Sequence, residues 1–382
     1  MKSRVWKSIF SLLLTISMVL GLLPSSMAAA EANGNSHTIT IQHAPSVIKV
    51  GDKPVLQARV LDANGDELSE EAVVWSTDNP ECAAFTPQHP GKLLTLKEGT
   101  ISVTASLESN QTIRDTIDIK VEPNIKEVYM RIEGYDRTIF PRTKVQIPLY
   151  DISADLGKAS GSSSGTSNGW SVDKFNNPTN AHAIVKVLRD LGMSQIKDNE
   201  EDTPDKFDFQ DYGWGLYIAM IGGDREFDHS GMSGWMYAVN DTLPSVGSQG
   251  RDLEDGDDIV WYYGAFGFDN VYTKISANKT HVQMGEEVRM KLTGASSMDG
   301  LGNDKVFLPV SNATILIKEG GAEYKGKEPA VITDEKGEVT LVFNKPGTYE
   351  ISAVRYRANE SYGEETIDIV RPYPVTITVA SP

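Results

Sequence analysis

Residues 211–268 hold three of the chain's six tryptophans, Trp214, Trp235 and Trp261, together with five tyrosines and three phenylalanines. The aromatics fall in three apolar runs, 216–221, 235–239 and 259–263, each bounded by Gly, Asp, Asn or Pro. Runs of that length, closed by turn residues, predict short strands rather than helices. A stretch so rich in rings must either build an aromatic core or present an aromatic face, and the rest of the chain has to accommodate one or the other.

At 382 residues the chain has length for two to four domains. Its first segment is set apart from the fold. Lys2, Arg4 and Lys7 precede an apolar run at 9–23, and Ser26-Met27-Ala28 supplies small residues for cleavage, so residues 1–28 read as a signal peptide. The run is shorter than the roughly 20 residues that cross a bilayer, and no later segment is long and apolar enough to do so. The protein is therefore expected outside the cell or at its surface. No lipobox cysteine follows the signal and no sorting motif closes the chain, so covalent anchoring is not expected. The formal charge is −17, and loss of the signal peptide leaves 33 basic against 53 acidic residues. Neither nucleic acid nor an anionic membrane suits such a surface. Cys82 is the sole cysteine, which rules out an internal disulfide, and its Ala83-Ala84-Phe85 neighbours predict a small buried apolar residue.

Residues 38–122 alternate apolar and polar over six or seven short runs, with turn signals every 8–12 residues. That spacing predicts a β-sandwich. The segments VVWSTDNPECAAF, LKEGTISVTAS and IDIKVE resemble a bacterial Ig-like domain of the intimin/invasin type, which implies that Trp75 lies between the two sheets. The Asp62/Asn64/Asp66 spacing is superficially that of a calcium loop. Glu67 and Val73 occupy the places where such a loop needs Gly and Glu, so a hairpin turn is expected instead.

Pro123-Asn124 forms a short linker to residues 126–268. Residues 128–133 and 143–150 alternate as a hairpin pair, and 153–168 is a Ser/Gly-rich connector. Ala181, Ile184, Val185, Leu188 and Leu191 then fall at helical spacing, with Thr179 or Asn180 as N-cap and Gly192 as the stop. The acidic stretch 199–208 reads as a surface loop, after which come the three aromatic strands. The order β-β-α-β-β-β predicts one helix packed on a small mixed sheet. Residues 270–382 return to alternating runs and turns, with 333–340 and 346–353 similar to surface Ig-like repeats. The expected architecture is mainly β: an Ig-like β-sandwich, a central α+β unit with one helix, and a second Ig-like β-sandwich.

No enzyme is expected from these residues. Gly222–Gly231 gathers Asp224, Asp228, His229 and Ser230, but they are too close in sequence for an ordinary triad, and no second His or Cys sits at metal-ligand spacing. Binding is the stronger reading. Period-2 alternation puts Trp235, Tyr237 and Val239 on one face of their strand, and Ile259, Trp261 and Tyr263 on one face of theirs. With one helix to cover one side of the sheet, the other side is expected to offer rings to a small-molecule ligand.

TNAHAIVKVLRDLG, GWGLYIAMIGG, SGWMYAVNDTLPSVGS and LEDGDDIVWYYGAF together resemble the transcobalamin-like C-terminal domain found in vitamin carriers and in Gram-positive surface proteins. The resemblance implies a β-grasp-like fold and raises a corrinoid as ligand. Such a disc needs flat aromatic contact and a polar rim. Trp235, Tyr237, Trp261 and Tyr263 are the expected contacts, Trp214 and Tyr217 extend them, Asn240, Ser245 and the amides near Gly247 are the rim, and His229 approaches the metal. The vitamin carriers complete their site with a helical barrel, whereas this chain has no helical repeat. The alternative is a surface adhesion or scaffolding protein whose partner is a cell-surface protein or glycan.

Overall fold

A computed structural model describes residues 37–158, 169–265, 270–296, 306–320, 325–327, 330–359 and 364–381. The signal-peptide reading, most of the Ser/Gly-rich connector, and Phe266 and Phe268 lie outside the described residues. The chain is mainly β, with a β-sandwich on either side of a central α+β unit.

In the first sandwich, Val47–Lys49, Arg114–Glu122, Gly99–Leu107 and Val73–Thr77 form one sheet, faced by the pair Thr38–Gln42 and Gln57–Leu61. Alternation buries Ile101, Val103, Ala105, Ile119 and Val121 between them. Cys82 is buried as expected, and its thiol donates to the Glu98 carbonyl. Trp75 is only partly buried and packs at the margin of the core, its ring 5.5 Å from Phe85. Asp62 accepts the backbone N–H groups of Asn64 and Asp66, which is the hairpin turn expected.

The central unit has two sheets rather than one. The first runs Thr138–Pro148, Ile125–Glu133, Asp258–Ala265, Ser233–Val239 in space. Its middle pair is parallel and its flanking pairs are antiparallel. A parallel pair needs a long crossover, and helix Asn180–Asp190 lies within it. Asn180–Val185 is buried at every position: Tyr150, Phe175 and Trp261 enclose its start, and its apolar residues share one core with those of a second sheet. That sheet contains Gly157–Lys158, Lys206–Asp211, Leu216–Ile221 and Asp224–Arg225. Two expectations change. The strand Lys206–Asp211 begins inside the stretch read as an acidic loop, and Leu216–Ile221 belongs to a different sheet from the other two aromatic runs.

The helix starts and stops where its local signals place it. Thr179 is the N-cap, and its backbone N–H donates to Nδ1 of His182 at 3.1 Å. The imidazole proton therefore sits on Nε2, which donates to the Tyr150 carbonyl at 3.1 Å. Gly192 adopts φ +78° just past the end.

The C-terminal sandwich pairs Val271–Ala277 with Glu287–Ser296, and Gly347–Val354 with Thr314–Glu319 and Val375–Ala380. Its 333–337 turn needs glycine: Gly337 has φ +70°, and a Cβ there would collide with the Leu292 carbonyl.

Both junctions are packed. Leu149, Val172 and Phe175 enter the core of the first sandwich, and Lys53 Nζ donates to the Phe175 carbonyl. On the other side Ala238, Val260 and Tyr262 form one cluster with Tyr272, Ala295 and Val370 of the C-terminal sandwich.

Candidate functional site

Alternation sorts the rings of the first sheet as the sequence predicts, but neither face is open. Trp235, Tyr237, Trp261 and Tyr263 point toward the helix and second sheet, and each is under 10% exposed. Their polar atoms are satisfied inside: Trp235 Nε1 donates to the Asp224 carbonyl, Tyr237 to the Val246 carbonyl, and Trp261 Nε1 to Asn180 Oδ1. Burial pushes the Tyr237 and Tyr263 hydroxyls up to about 12. The opposite face, which was expected to be free, is the one that meets the C-terminal sandwich. The four rings expected to contact a ligand are therefore core.

Two further expected residues are held by their own surroundings. The His229 ring stacks on Tyr135 at 3.5 Å and meets the edge of Tyr263. Asn240 is exposed at φ +52°, and its amide donates to Asp257 while its carbonyl accepts the Asp258 N–H. This ties the turn that aligns the two aromatic strands.

Trp214 and Tyr217 are different. Asp211 pairs with Leu216 across the hairpin of the second sheet. The four-residue tip between them is fixed by Tyr212 N–H to Gly215 O at 3.0 Å and Gly213 N–H to Asp211 Oδ1 at 2.7 Å. Gly213 supplies the φ of +81° that the tip requires. Trp214 is thereby carried outward and is 83% exposed. Its ring lies 5.9 Å from that of Tyr212, which meets Tyr217 edge-on at 6.4 Å. The result is a ridge of three rings along the outer side of the second sheet. Exposed Phe227 and Met232 lie on the loop after that sheet.

Beside the ridge this sheet carries a chain of bonded polar side chains. Tyr212 donates to Gln210, whose amide donates to Asp208 at 2.8 Å. Arg225 bridges Asp208 and Asp202. The Tyr217 hydroxyl donates to Glu226, and burial followed by that carboxylate raises its pKa. Gln249 accepts from the Leu216 N–H at the tip's far end. Of these, Tyr212 counts among the aromatics and Glu226 lies in the 222–231 loop, but the sequence pattern places neither of them, nor Gln210, beside Trp214 and Tyr217. The signal that finds them is the Gly-Trp-Gly tip, which marks a hairpin and so makes the residues flanking it neighbours.

Elsewhere a cleft of about 410 Å³ opens between the central unit and the C-terminal sandwich, lined by Arg131, Arg142, Asp241, Asp258, Lys274 and Tyr373 among others. Its charges are matched in pairs, Arg142 with Asp258 and Lys274 with Asp241. Among the described residues, no group of three or more His, Cys, Asp or Glu is placed to hold a metal ion, and no helix is long and apolar enough to cross a membrane.

The molecule is thus a mainly β, multi-unit chain whose central unit carries an exposed aromatic ridge. A family described as a domain of unknown function (DUF4430) matches residues 184–265, the part of the central unit that holds the ridge and the aromatic strands. The match carries no activity, and the transcobalamin-like resemblance gains nothing more specific from it. No curated protein matches. Among solved structures, the Yersinia pseudotuberculosis adhesin InvE aligns at 10% identity over 92% of this chain and 61% of that one, with a TM-score of 0.18. Domains 4 and 5 of the S-layer protein SbsC align at 9% identity over 90% and 98%, with a TM-score of 0.20. The Escherichia coli adhesin FdeC aligns at 11% identity over 93% and 100%, with a TM-score of 0.19. The chain spans under two thirds of InvE, and superpositions this loose assign it no activity.

Proposed function

We propose that the chain is a non-enzymatic recognition protein of the cell exterior, whose central unit binds a cell-surface protein or glycan through the ridge Tyr212, Trp214 and Tyr217. The observation that carries this reading is the 83% exposure of Trp214 on a hairpin tip held by its own backbone. A large ring kept in water costs free energy unless a partner covers it, and exposed aromatics are characteristic of contact sites. The packed junctions support a presenting role for the sandwiches, since they hold the central unit in place rather than tethering it loosely.

A corrinoid is the weaker candidate. The rings that would have received it are enclosed, and a disc laid on the ridge alone would keep most of its surface in water, which limits affinity. The absence of enzymatic activity remains part of the proposal. It is supported by the engagement of three of the four candidate groups in Gly222–Gly231: His229 is stacked, Asp224 accepts from the Tyr135 N–H, and Asp228 accepts from the Arg225 N–H. The test is an array of cell-wall polysaccharides and matrix proteins probed with the full chain. Binding is expected to fall about tenfold or more in Trp214→Ala with an unchanged melting temperature. Equal binding by parent and variant would remove the ridge from the reading.

A further inference from the structure

We infer that the ridge takes a neutral glycan, with Trp214 and Tyr212 stacking on sugar rings and Glu226 and Gln249 bonding their hydroxyls. This rests on the recognition reading above and names its ligand class. The argument is one of matching chemistry. A pyranose presents an apolar C–H face and a rim of hydroxyls that both donate and accept. The hairpin offers the counterpart, rings at its tip and fixed hydrogen-bonding side chains on either flank. Glu226 holds one oxygen on the Tyr217 hydroxyl, and a carboxylate has lone pairs beyond that one bond. Gln249 reaches the other end of the tip through the Leu216 N–H.

The same groups exclude other occupants. A lipid chain or an apolar helix laid on the rings would desolvate Glu226 with nothing to replace water, which is unfavourable. An acidic polysaccharide would meet the Glu226 carboxylate, whose partner is a neutral hydroxyl, on a chain of formal charge −17, while Asp202 is matched by Arg225. Tyr212 and Tyr217 are each anchored through their hydroxyls, to Gln210 and Glu226. The two tyrosines are therefore set before the ligand arrives, and they leave binding less ordering to supply.

Trp214 itself reports the outcome. Trp235 and Trp261 are buried and Trp75 and Trp170 are partly buried, so among the described residues Trp214 is the tryptophan most open to a quencher. The full chain is titrated with chitohexaose, cellohexaose and mannohexaose while acrylamide quenching is followed, with polygalacturonate as the acidic arm. At least one neutral oligosaccharide is expected to protect the fluorescence. The protection should vanish in Trp214→Phe through loss of the reporter, and binding by calorimetry should weaken about tenfold in Trp214→Ala and severalfold in Glu226→Ala. Stronger protection by polygalacturonate than by the neutral sugars overturns the inference. So does protection by none of the sugars when Trp214→Ala still abolishes capture on a matrix-protein array, a result that leaves the recognition reading standing. If neither sugar binding nor array capture depends on Trp214, both fall together.

Discussion

His182 shows how much a single buried side chain contributes to holding the central unit together. It lies on the first turn of the helix with its ring fully enclosed, edge-on to Phe175 and Tyr150. Burial lowers its pKa to about 4, against a smaller opposing pull from the Tyr150 carbonyl and Asp151. In the unfolded chain the same imidazole titrates near 6.5, so between these values the unfolded state binds the extra proton. The stabilisation is complete above about pH 6.5 and is lost as pH falls toward 4. At pH 5 the loss is roughly 2 kcal/mol. Urea titrations at pH 7 and pH 5 are expected to show it, and His182→Asn should remove most of the difference between the two. An equal acid loss in parent and variant would place the effect elsewhere, on the carboxylates. Glu133 pulls in the opposite direction, since its burial raises its pKa and favours the folded state in acid. The comparison of variants is therefore more telling than the parent's slope alone.

The elements differ in how openly the sequence declares them, and the difference is physical. The helix declares itself because its stripe, cap and Gly stop are all local, and the structure places it at Asn180–Asp190. Period-2 alternation likewise assigns the right rings to the right face of each aromatic strand. It cannot say what covers a face, because the covering elements are a second sheet and a neighbouring sandwich far away in sequence. Strand Lys206–Asp211 was missed for a related reason. Its sequence KFDFQD looks solvated, yet Asp208 and Gln210 are buried and bonded to Arg225, Gln195 and each other. Phe207 and Phe209 fill the core from the other side. Phe209→Ala is expected to cost about 3–5 kcal/mol in denaturant unfolding, whereas Trp214→Ala, a few residues away on the exposed tip, should stay within about 0.5 kcal/mol. If both proved neutral, the second sheet would not be part of the folded core. The candidate site follows the same rule: Trp214, between Gly213 and Gly215, has little local structure to cover it and lies exposed on its hairpin tip. The remaining expected contacts were absorbed by packing that no local pattern records.

At the scale of the whole molecule the question is whether the three units act as one. The junction after the central unit argues that they do, because it contains a charge that cannot be left alone. Arg131 and Glu133 are paired at 3.1 Å with side chains only 4% and 3% exposed. The same guanidinium donates to the Arg371 carbonyl of the C-terminal sandwich at 3.0 Å. Tyr135 accepts the Ile367 N–H nearby, and Tyr262 packs on Tyr272. A buried pair of this kind adds little net stability over apolar replacements, but removal of one partner strands the other in a dry interface. Arg131→Met is therefore expected to cost about 3–5 kcal/mol and to separate the unfolding of the C-terminal sandwich from that of the central unit in calorimetry. The double change Arg131→Met with Glu133→Leu should recover most of the stability while losing the bond to Arg371. If Arg131→Met left a single transition with less than about 1 kcal/mol lost, the pair would not be what couples the units. A coupled chain transmits load between its ends without freeing the ridge-bearing unit, and that is the property a presenting scaffold needs.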